Sequence, residues 1–363
     1  MRLRQLLPIG TFVALLGLPA TALATAPASP APASSTTTTS STTTTMSSTT
    51  AVAVVPVNGR LRVDLLHGIG HPAIALTGHR LGVLVRVRPF VPGLHATVHF
   101  TVNGHRLASR TVPIQNLGDG TGRAEFGYSP SRSGVLVATV THVTTSKTGT
   151  FSQVAPAQIR VIDPDLNFGA SGESVRTLQR GLAALHYAVP QTGVYDELTD
   201  DAVIAFRKMT GDALVSGTDA RLFEQLENGD GAFHVRFPRD GKHVEADLTR
   251  QVLAEIDADG RVHLIYTVSS GKPSTPTVIG HFNVYSKTPG VNSEGMVDSN
   301  YFIRGYAIHG YAEVPTYAAS HGCLRIPIPD AASVFAWVQL GDAVDVYYED
   351  GHGSRVVQGN AGP

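Results

Sequence analysis

Cysteine is almost absent: Cys323 is the one such residue among 363, which excludes an intrachain disulfide framework and any multi-cysteine zinc or iron–sulfur site. Charge is scarce as well. Asp, Glu, Lys and Arg make up 16% of the chain, and 28 basic against 29 acidic residues leave a formal net charge of −1. A nucleic-acid binder needs a basic excess, so no nucleic-acid partner is expected. Little charge together with 37 Gly and 22 Pro argues against long salt-bridged helices and for turn-rich, mainly β structure. Also missing is the run of ~20 apolar residues that a membrane-spanning helix needs. The apolar stretch Leu6 to Leu18 is shorter and contains Pro8.

That stretch has another reading. Met1-Arg2-Leu3-Arg4 before it and Ala22-Leu23-Ala24 after it complete the basic, apolar and small-x-small sections of a secretory signal peptide over residues 1–24. An uncleaved anchor is the alternative. Residues 25–51 turn to Pro/Ala and then Ser/Thr, with too little apolar surface to offset the entropy of ordering, so a disordered linker is expected. The protein is read as exported, working in the cell wall or periplasmic space.

A chain of this length holds two or three domains. Over residues 52–163, alternating runs recur at Leu61–Leu65, Val83–Val87, Ala96–Val102, Val135–Val143 and Gln158–Val161, the spacing of a β-sandwich, and an immunoglobulin-like one is expected. Asn103-Gly104 between two of the runs suits a tight type I′ hairpin. The seven histidines here are scattered and suggest no catalysis. Over 164–228 the period becomes helical: Val175, Leu178, Leu182 and Leu185 share a face behind Ser171 as cap, a second helix follows Thr199 with Asp200 and Asp201 at its positive end, and a third follows Thr218. Three short amphipathic helices make a small bundle. The ordered set Leu166–Val175, Leu178-Gln179, Gly193–Asp196, Thr199, Ala202-Val203 and Phe206 resembles the peptidoglycan-binding domain of wall hydrolases; a helical spacer without ligand is the plainer alternative.

Strands return over 241–350. Val244–Leu248, Gln251–Ile256, Val262–Ser269 and His281–Ser286 read as a meander, followed by a long connection from Tyr285 to Ile308 carrying a flap. Pro329-Asp330 opens a helix through Leu340 with Gly341 as its stop, Ala343–Tyr348 is a closing strand, and 351–363 is a tail. Within this region His309-Gly310 and Ser320-His321-Gly322-Cys323-Leu324-Arg325 put two histidines within 14 residues of the cysteine. A free thiol of pKa ~8.5 is mostly protonated near neutral pH, so an imidazole that takes its proton creates the nucleophile. Amides of Gly322 and Cys323 are candidates for holding the oxyanion formed when the thiolate adds to a carbonyl. The alternative for a lone cysteine is a small buried hydrophobe. An unpaired thiol in an exported protein faces oxidation, however, and keeping one needs a reason.

The region resembles the catalytic domain of L,D-transpeptidases of the YkuD type. The likeness rests on His309, Ser320, His321, Gly322, Cys323 and Arg325, and upstream on Leu248–Gln251, Ser270–Pro273, Thr275–Thr277, Gly280–Phe282 and Tyr285-Ser286. The interval from His309 to Cys323 is shorter than in many members, and Val278-Ile279 stands where many have a second Thr-Pro pair. The resemblance implies a multidomain, mainly β protein with a C-terminal β-rich catalytic domain that cross-links peptidoglycan stem peptides through a thioester, without metal or organic cofactor. It implies Cys323 as nucleophile, His309 as general base with the Gly310 carbonyl fixing its tautomer, and acylation by carbapenem-type β-lactams. Spacing alone does not choose between His309 and His321; the resemblance makes His321 and Ser320 structural. Arg325 either meets the substrate carboxylate or braces the loop. Tyr301, Phe302 and Tyr306 either line the donor groove or pack in the core. Hydrolysis of the same thioester, as an L,D-carboxypeptidase, and an inactive wall anchor are the competing readings.

Overall fold

The computed structural model describes residues 55–351; the expected signal peptide, the expected linker and the expected tail beyond Gly351 lie outside the described residues. Ten strands occupy its first part: β1 (Val57–Leu66), β2 (Ile74–Leu76), β3 (Leu81–Arg88), β4 (His95–Val102), β5 (His105–Pro113), β6 (Gln115–Asn116), β7 (Gly122–Tyr128), β8 (Gly134–His142), β9 (Thr148–Gln153) and β10 (Ala157–Ile162). They form two sheets of order β6-β7-β3-β1-β9 and β2-β10-β8-β4-β5. Strand alternation explains the core between them. Ala96, Val98, Phe100 and Val102 of β4 face inward and meet Leu61, Val63, Val83 and Val85 from the other sheet. Asn103 and Gly104 turn the chain between β4 and β5 with φ of 49° and 81°, the paired positive values that the hairpin requires.

Three helices follow: α1 (Glu173–Ala184), α2 (Glu197–Thr210) and α3 (Ala220–Asn228). The expected starts need correction. Gly172, at φ 111°, caps α1 without a side-chain bond, while Ser171 bridges to Val194. Helix α2 begins two residues before Thr199, because the Asp196 carboxylate accepts from Thr199 N at 3.0 Å and so caps the first turn. The caps of α2 and α3 at the other end, Gly211 and Gly229, are left-handed. Val175, Leu178, Leu182, Val203 and Phe206 join Ile74, Leu76 and Ile162 of the preceding sheets and Val252, Ala254, Ile256 and Ile265 of the next one in a single cluster. The helices therefore act as mortar between two β regions.

The last part holds β11 (His243–Asp247), β12 (Val252–Ile256), β13 (Val262–Thr267), β14 (Gly280–Asn283), β15 (Ser286–Val291), β16 (Val297–Ile303), β17 (Tyr306–Tyr311), β18 (Leu324–Pro327), α4 (Ile328–Trp337) and β19 (Ala343–Tyr347). Its sheets have the order β13-β12-β11-β19-β14 and β15-β16-β17-β18. The expected meander holds from β11 to β13 and does not continue to β14, which lies beyond β11 at the opposite edge of the sheet. Strand β19 inserts between β11 and β14, parallel to β11 and antiparallel to β14, a pairing between residues about a hundred apart that no local pattern reveals. The expected long connection is itself a ladder, β15 to β17. Helix α4 ends at Trp337, short of Leu340, where the Asp342 carboxylate takes the Gln339 N–H at 2.8 Å. Strand β12 serves two cores: Val252, Ala254 and Ile256 face the helices, and Leu253 faces a second cluster with Phe282, Phe302, Ile308, Leu324 and Val334. No helix among the described residues is long and apolar enough to cross a membrane.

Candidate active site

Strands β17 and β18 run parallel, with Ile308 opposite Leu324 and His309 opposite Arg325. Ile308, Leu324 and Ile326 sink into the core. Because side chains alternate along a strand, Ala307, His309 and Tyr311 share the other face with Cys323, which immediately precedes β18, and with Arg325. The sequence motif is thus brought together by one strand pairing. His309 is 2% exposed, and its Nδ1 lies 2.9 Å from the Gly310 carbonyl oxygen. A carbonyl only accepts, so Nδ1 carries the proton and Nε2 keeps the lone pair. Burial pushes the His309 pKa down, against the Gly310 bond, and nearby Arg325 pushes the same way as burial. Burial pushes the half-buried Cys323 thiol up, opposed by a backbone hydrogen bond from Ala307 and by Arg325. Both groups are therefore held toward their neutral forms.

The loop carrying Cys323 is tied from within. Ser320, fully buried, donates its hydroxyl to the Cys323 carbonyl at 2.6 Å and accepts the Gly322 N–H at 3.0 Å. This corrects one expectation: the Gly322 amide is spent inside the loop and is not free to hold an oxyanion. The glycine is needed for another reason. At φ 120°, a Cβ there would stand 1.7 Å from Cε1 of Tyr306, whose ring covers the residue. Gly310 is likewise pressed against Ala331, with 2.6 Å left for a Cβ. His321 is exposed and its Nε2 meets Lys272 Nζ at 3.1 Å. An ammonium only donates, so that nitrogen's lone pair is taken.

Of the three aromatic candidates, Phe302 requires correction: it is completely buried beside Phe282, at a centroid distance of 5.7 Å, and lines no groove. Its neighbour Tyr301 pairs with Ala307 and so lies on the face of the cysteine, half-exposed and 6.3 Å from the ring of Tyr285. The Arg325 guanidinium stacks 3.9 Å over the centroid of Tyr311.

Sequence reasoning gave no role to the supports behind this loop. Ser269 and Arg325 exchange backbone bonds of 2.9 and 3.0 Å, and the Ser270 carbonyl accepts from Ala319 N and Ser320 N. Ser270 is in turn gripped by Gln251, whose amide Oε1 accepts from Ser270 N and whose Nε2 donates to Ser270 Oγ, each at 2.8 Å. Behind Gln251 stands Lys208 of α2, buried, with Nζ donating to the carbonyls of Gln251 and Val268 at 2.9 Å and to Thr267 Oγ1 at 2.7 Å. The one local signal was a lysine among Ala202, Val203, Ala205 and Phe206 on a helix whose neighbours are buried.

Two family models match the chain: the YkuD L,D-transpeptidase catalytic domain over residues 241–346 and a peptidoglycan binding domain over 171–212. Among solved structures it is similar to an L,D-transpeptidase from Xylanimonas cellulosilytica, with 31% identity over 51% of this chain and 98% of that one and a TM-score of 0.47. A second, from Stackebrandtia nassauensis, is 23% identical over 51% of this chain and 95% of its own, TM-score 0.33. The Enterococcus faecium L,D-transpeptidase is 27% identical over 30% and 50%, TM-score 0.27. No curated protein matches.

Proposed function

The chain belongs to the YkuD-type L,D-transpeptidase family, and on that premise we propose that it cross-links peptidoglycan stem peptides through a thioester on Cys323 with His309 as general base. The observation that carries the reading is the shared face: Cys323 and His309 lie together on it, with the Nε2 lone pair of His309 kept available by the Nδ1–H bond to Gly310. Lys272 occupies the Nε2 of His321, which favours His309 as base.

Burial disfavours charge on both partners, so the resting pair is thiol and neutral imidazole, and the proton moves as the bond forms. His309 Nε2 takes the Cys323 proton while sulfur adds to the carbonyl on the L-centred side of the stem-peptide bond. The Cys323 amide is the donor we assign to the oxyanion. Collapse breaks the C–N bond to terminal D-alanine, whose amine receives the proton from His309, and a thioester remains. An amine of a second stem then attacks, giving its proton to His309; the new C–N bond forms, the C–S bond breaks, and the thiolate is reprotonated. Arg325 is assigned to the donor's carboxylate, with Tyr301 and Tyr306 beside the groove.

In this reading the immunoglobulin-like sandwich spaces the enzyme from its tether, residues 164–228 engage the wall, and residues 241–350 do the chemistry outside the cytoplasm. Intact-mass analysis tests it, comparing wild type with Cys323→Ala after exposure to a carbapenem and to a tetrapeptide donor with and without an acceptor amine. An adduct on wild type alone, D-alanine release, and a cross-linked product only when the amine is present are expected. Release without cross-linking makes the protein a carboxypeptidase. The same adduct on Cys323→Ala, or a folded wild type with neither adduct nor turnover, sinks the reading.

A further inference from the structure

The outer face of the β11-β19-β14 sheet, turned away from the core behind Cys323, carries a different cluster. His281 of β14 and Asp345 of β19 are register partners, and their Nδ1 and Oδ1 touch. Asp240, in the turn leading to β11, brings Oδ2 to 3.8 Å from the same Nδ1. One ligand atom from each of the three residues lies within 4.8 Å of the other two. Asp345 is 1% exposed, and its Oδ2 is buried without a hydrogen-bond partner among the described residues. Two carboxylates thus converge on one imidazole, with a buried oxygen unanswered. Nearby His243 does not answer it, because both its nitrogens are engaged, Nδ1 by the Gly241 carbonyl at 2.7 Å and Nε2 by Glu245 at 3.2 Å.

We propose that Asp240, His281 and Asp345 form a divalent-cation site of the zinc class. One imidazole nitrogen and two carboxylate oxygens are a three-ligand set that Zn²⁺ accepts, with water completing the shell. Ligand atoms on one tetrahedral zinc stand about 3.4 Å apart, given bonds of ~2.1 Å, so rotamer-scale movement closes the cluster on an ion. Side-chain exposures of 42% for His281 and 37% for Asp240 leave a path from solvent. Binding uses the Nδ1 lone pair, so the ring's proton sits on Nε2 when the ion is held.

The placement says what the ion would do. Residues just before Asp240 already lie on this face: Glu245 accepts the backbone N–H groups of Arg236 and Phe237 at 2.7–2.9 Å, and the Phe237 ring meets His281 edge-on at 4.7 Å. An ion held by Asp240 on one side and by β14 and β19 on the other clamps the segment that joins α3 to the last sheets.

The test uses untagged, chelator-treated protein carrying Cys323→Ala, so that the thiol cannot ligate, titrated with ZnCl₂ by calorimetry. One equivalent is expected to bind, with affinity at least ~10-fold weaker in Asp240→Asn and in His281→Gln, both partly exposed positions at which folding is checked by circular dichroism. Zinc should also slow proteolysis of residues 229–240 in the parent and not in the variants. Absence of saturable binding, or equal affinity in parent and both variants, overturns the proposal.

Discussion

The first and last β regions of this protein are built alike, two sheets over an apolar core, yet they differ in what they bury. Within the N-terminal sheets the buried polar side chains reduce to Thr148. The C-terminal part buries His243, Glu245, Glu255, Ser269, Ser270, Asn300, His309, Ser320, Asp330 and Asp345. A buried polar group costs free energy unless it is paired, so a sequence keeps many of them only where something other than stability is gained. The first region is held by packing and its defects should appear as lost stability. The second adds directional bonds through Ser269, Ser270 and Ser320 behind Cys323, and defects there should appear as lost rate.

The largest expected effect is at Gly322. Gly322→Ala drives a Cβ into Tyr306 and forces alanine to φ 120°, displacing the Cys323 loop. Misplacement of a nucleophile by about 1 Å costs ~10²-fold, so carbapenem acylation should fall by at least that much. Phe100→Ala, in the N-terminal core, removes a completely buried ring and should cost ~3–5 kcal/mol of stability while leaving the acylation rate of the folded protein unchanged. Melting curves and acylation rates measured on both variants would break the comparison if the two readouts moved together. Lys208→Met comes next. It removes one bond to the Gln251 carbonyl and two to the adjoining Thr267 and Val268, and so the support of Gln251 and through it of Ser270; acylation should slow by about tenfold with the circular dichroism spectrum unchanged. An unaltered rate would mean that Gln251 needs no support from α2.

How much of this was legible depended on the reach of each interaction. Alternation in β4 and the 3.6-residue period of α1 are local, and they marked Ala96–Val102 as a strand and put Leu178 on the inner face of its helix. The Ser320–Cys323 motif was legible because its parts are neighbours in sequence. Phe302 was left open between groove and core because two adjacent aromatics do not show which faces the core; a strand's phase changes with a single residue, and the bulge between Tyr301 and Ile303 hides it further. The Gly322 amide was assigned outward because its partner, the Ser320 hydroxyl, is visible only once the turn is closed. Insertion of β19 beside β11, and Lys208 reaching Gln251 across 43 positions, are long-range pairings that leave no mark on a window of sequence.

The smallest effect tests whether buried polarity in the C-terminal half also has a stability cost. Asp330 of α4 is 7% exposed, and burial, with repulsion from Asp201 and Glu197 of α2, pushes its pKa from 3.8 to about 7. Asp201 is raised to about 7 by burial first and then by repulsion from Glu197 and Asp200, against the pull of Lys208. Unfolding returns each carboxyl to its ordinary value, so between pH 3.8 and about 7 the native state holds protons that the unfolded chain has released. Their contribution is full below that window and is lost as pH rises through it. Lys208, lowered by burial to about 7, pulls the other way only above that pH, since there the unfolded chain keeps the proton that the native state sheds. Stability should therefore fall from pH 5 to pH 7, and Asp330→Asn, which cannot ionise, should flatten the decline by a few degrees of melting temperature. An identical slope in the variant would show that Asp330 ionises as freely in the native protein as in the unfolded chain, and burying its carboxyl with those of α2 nearby would then carry no stability cost.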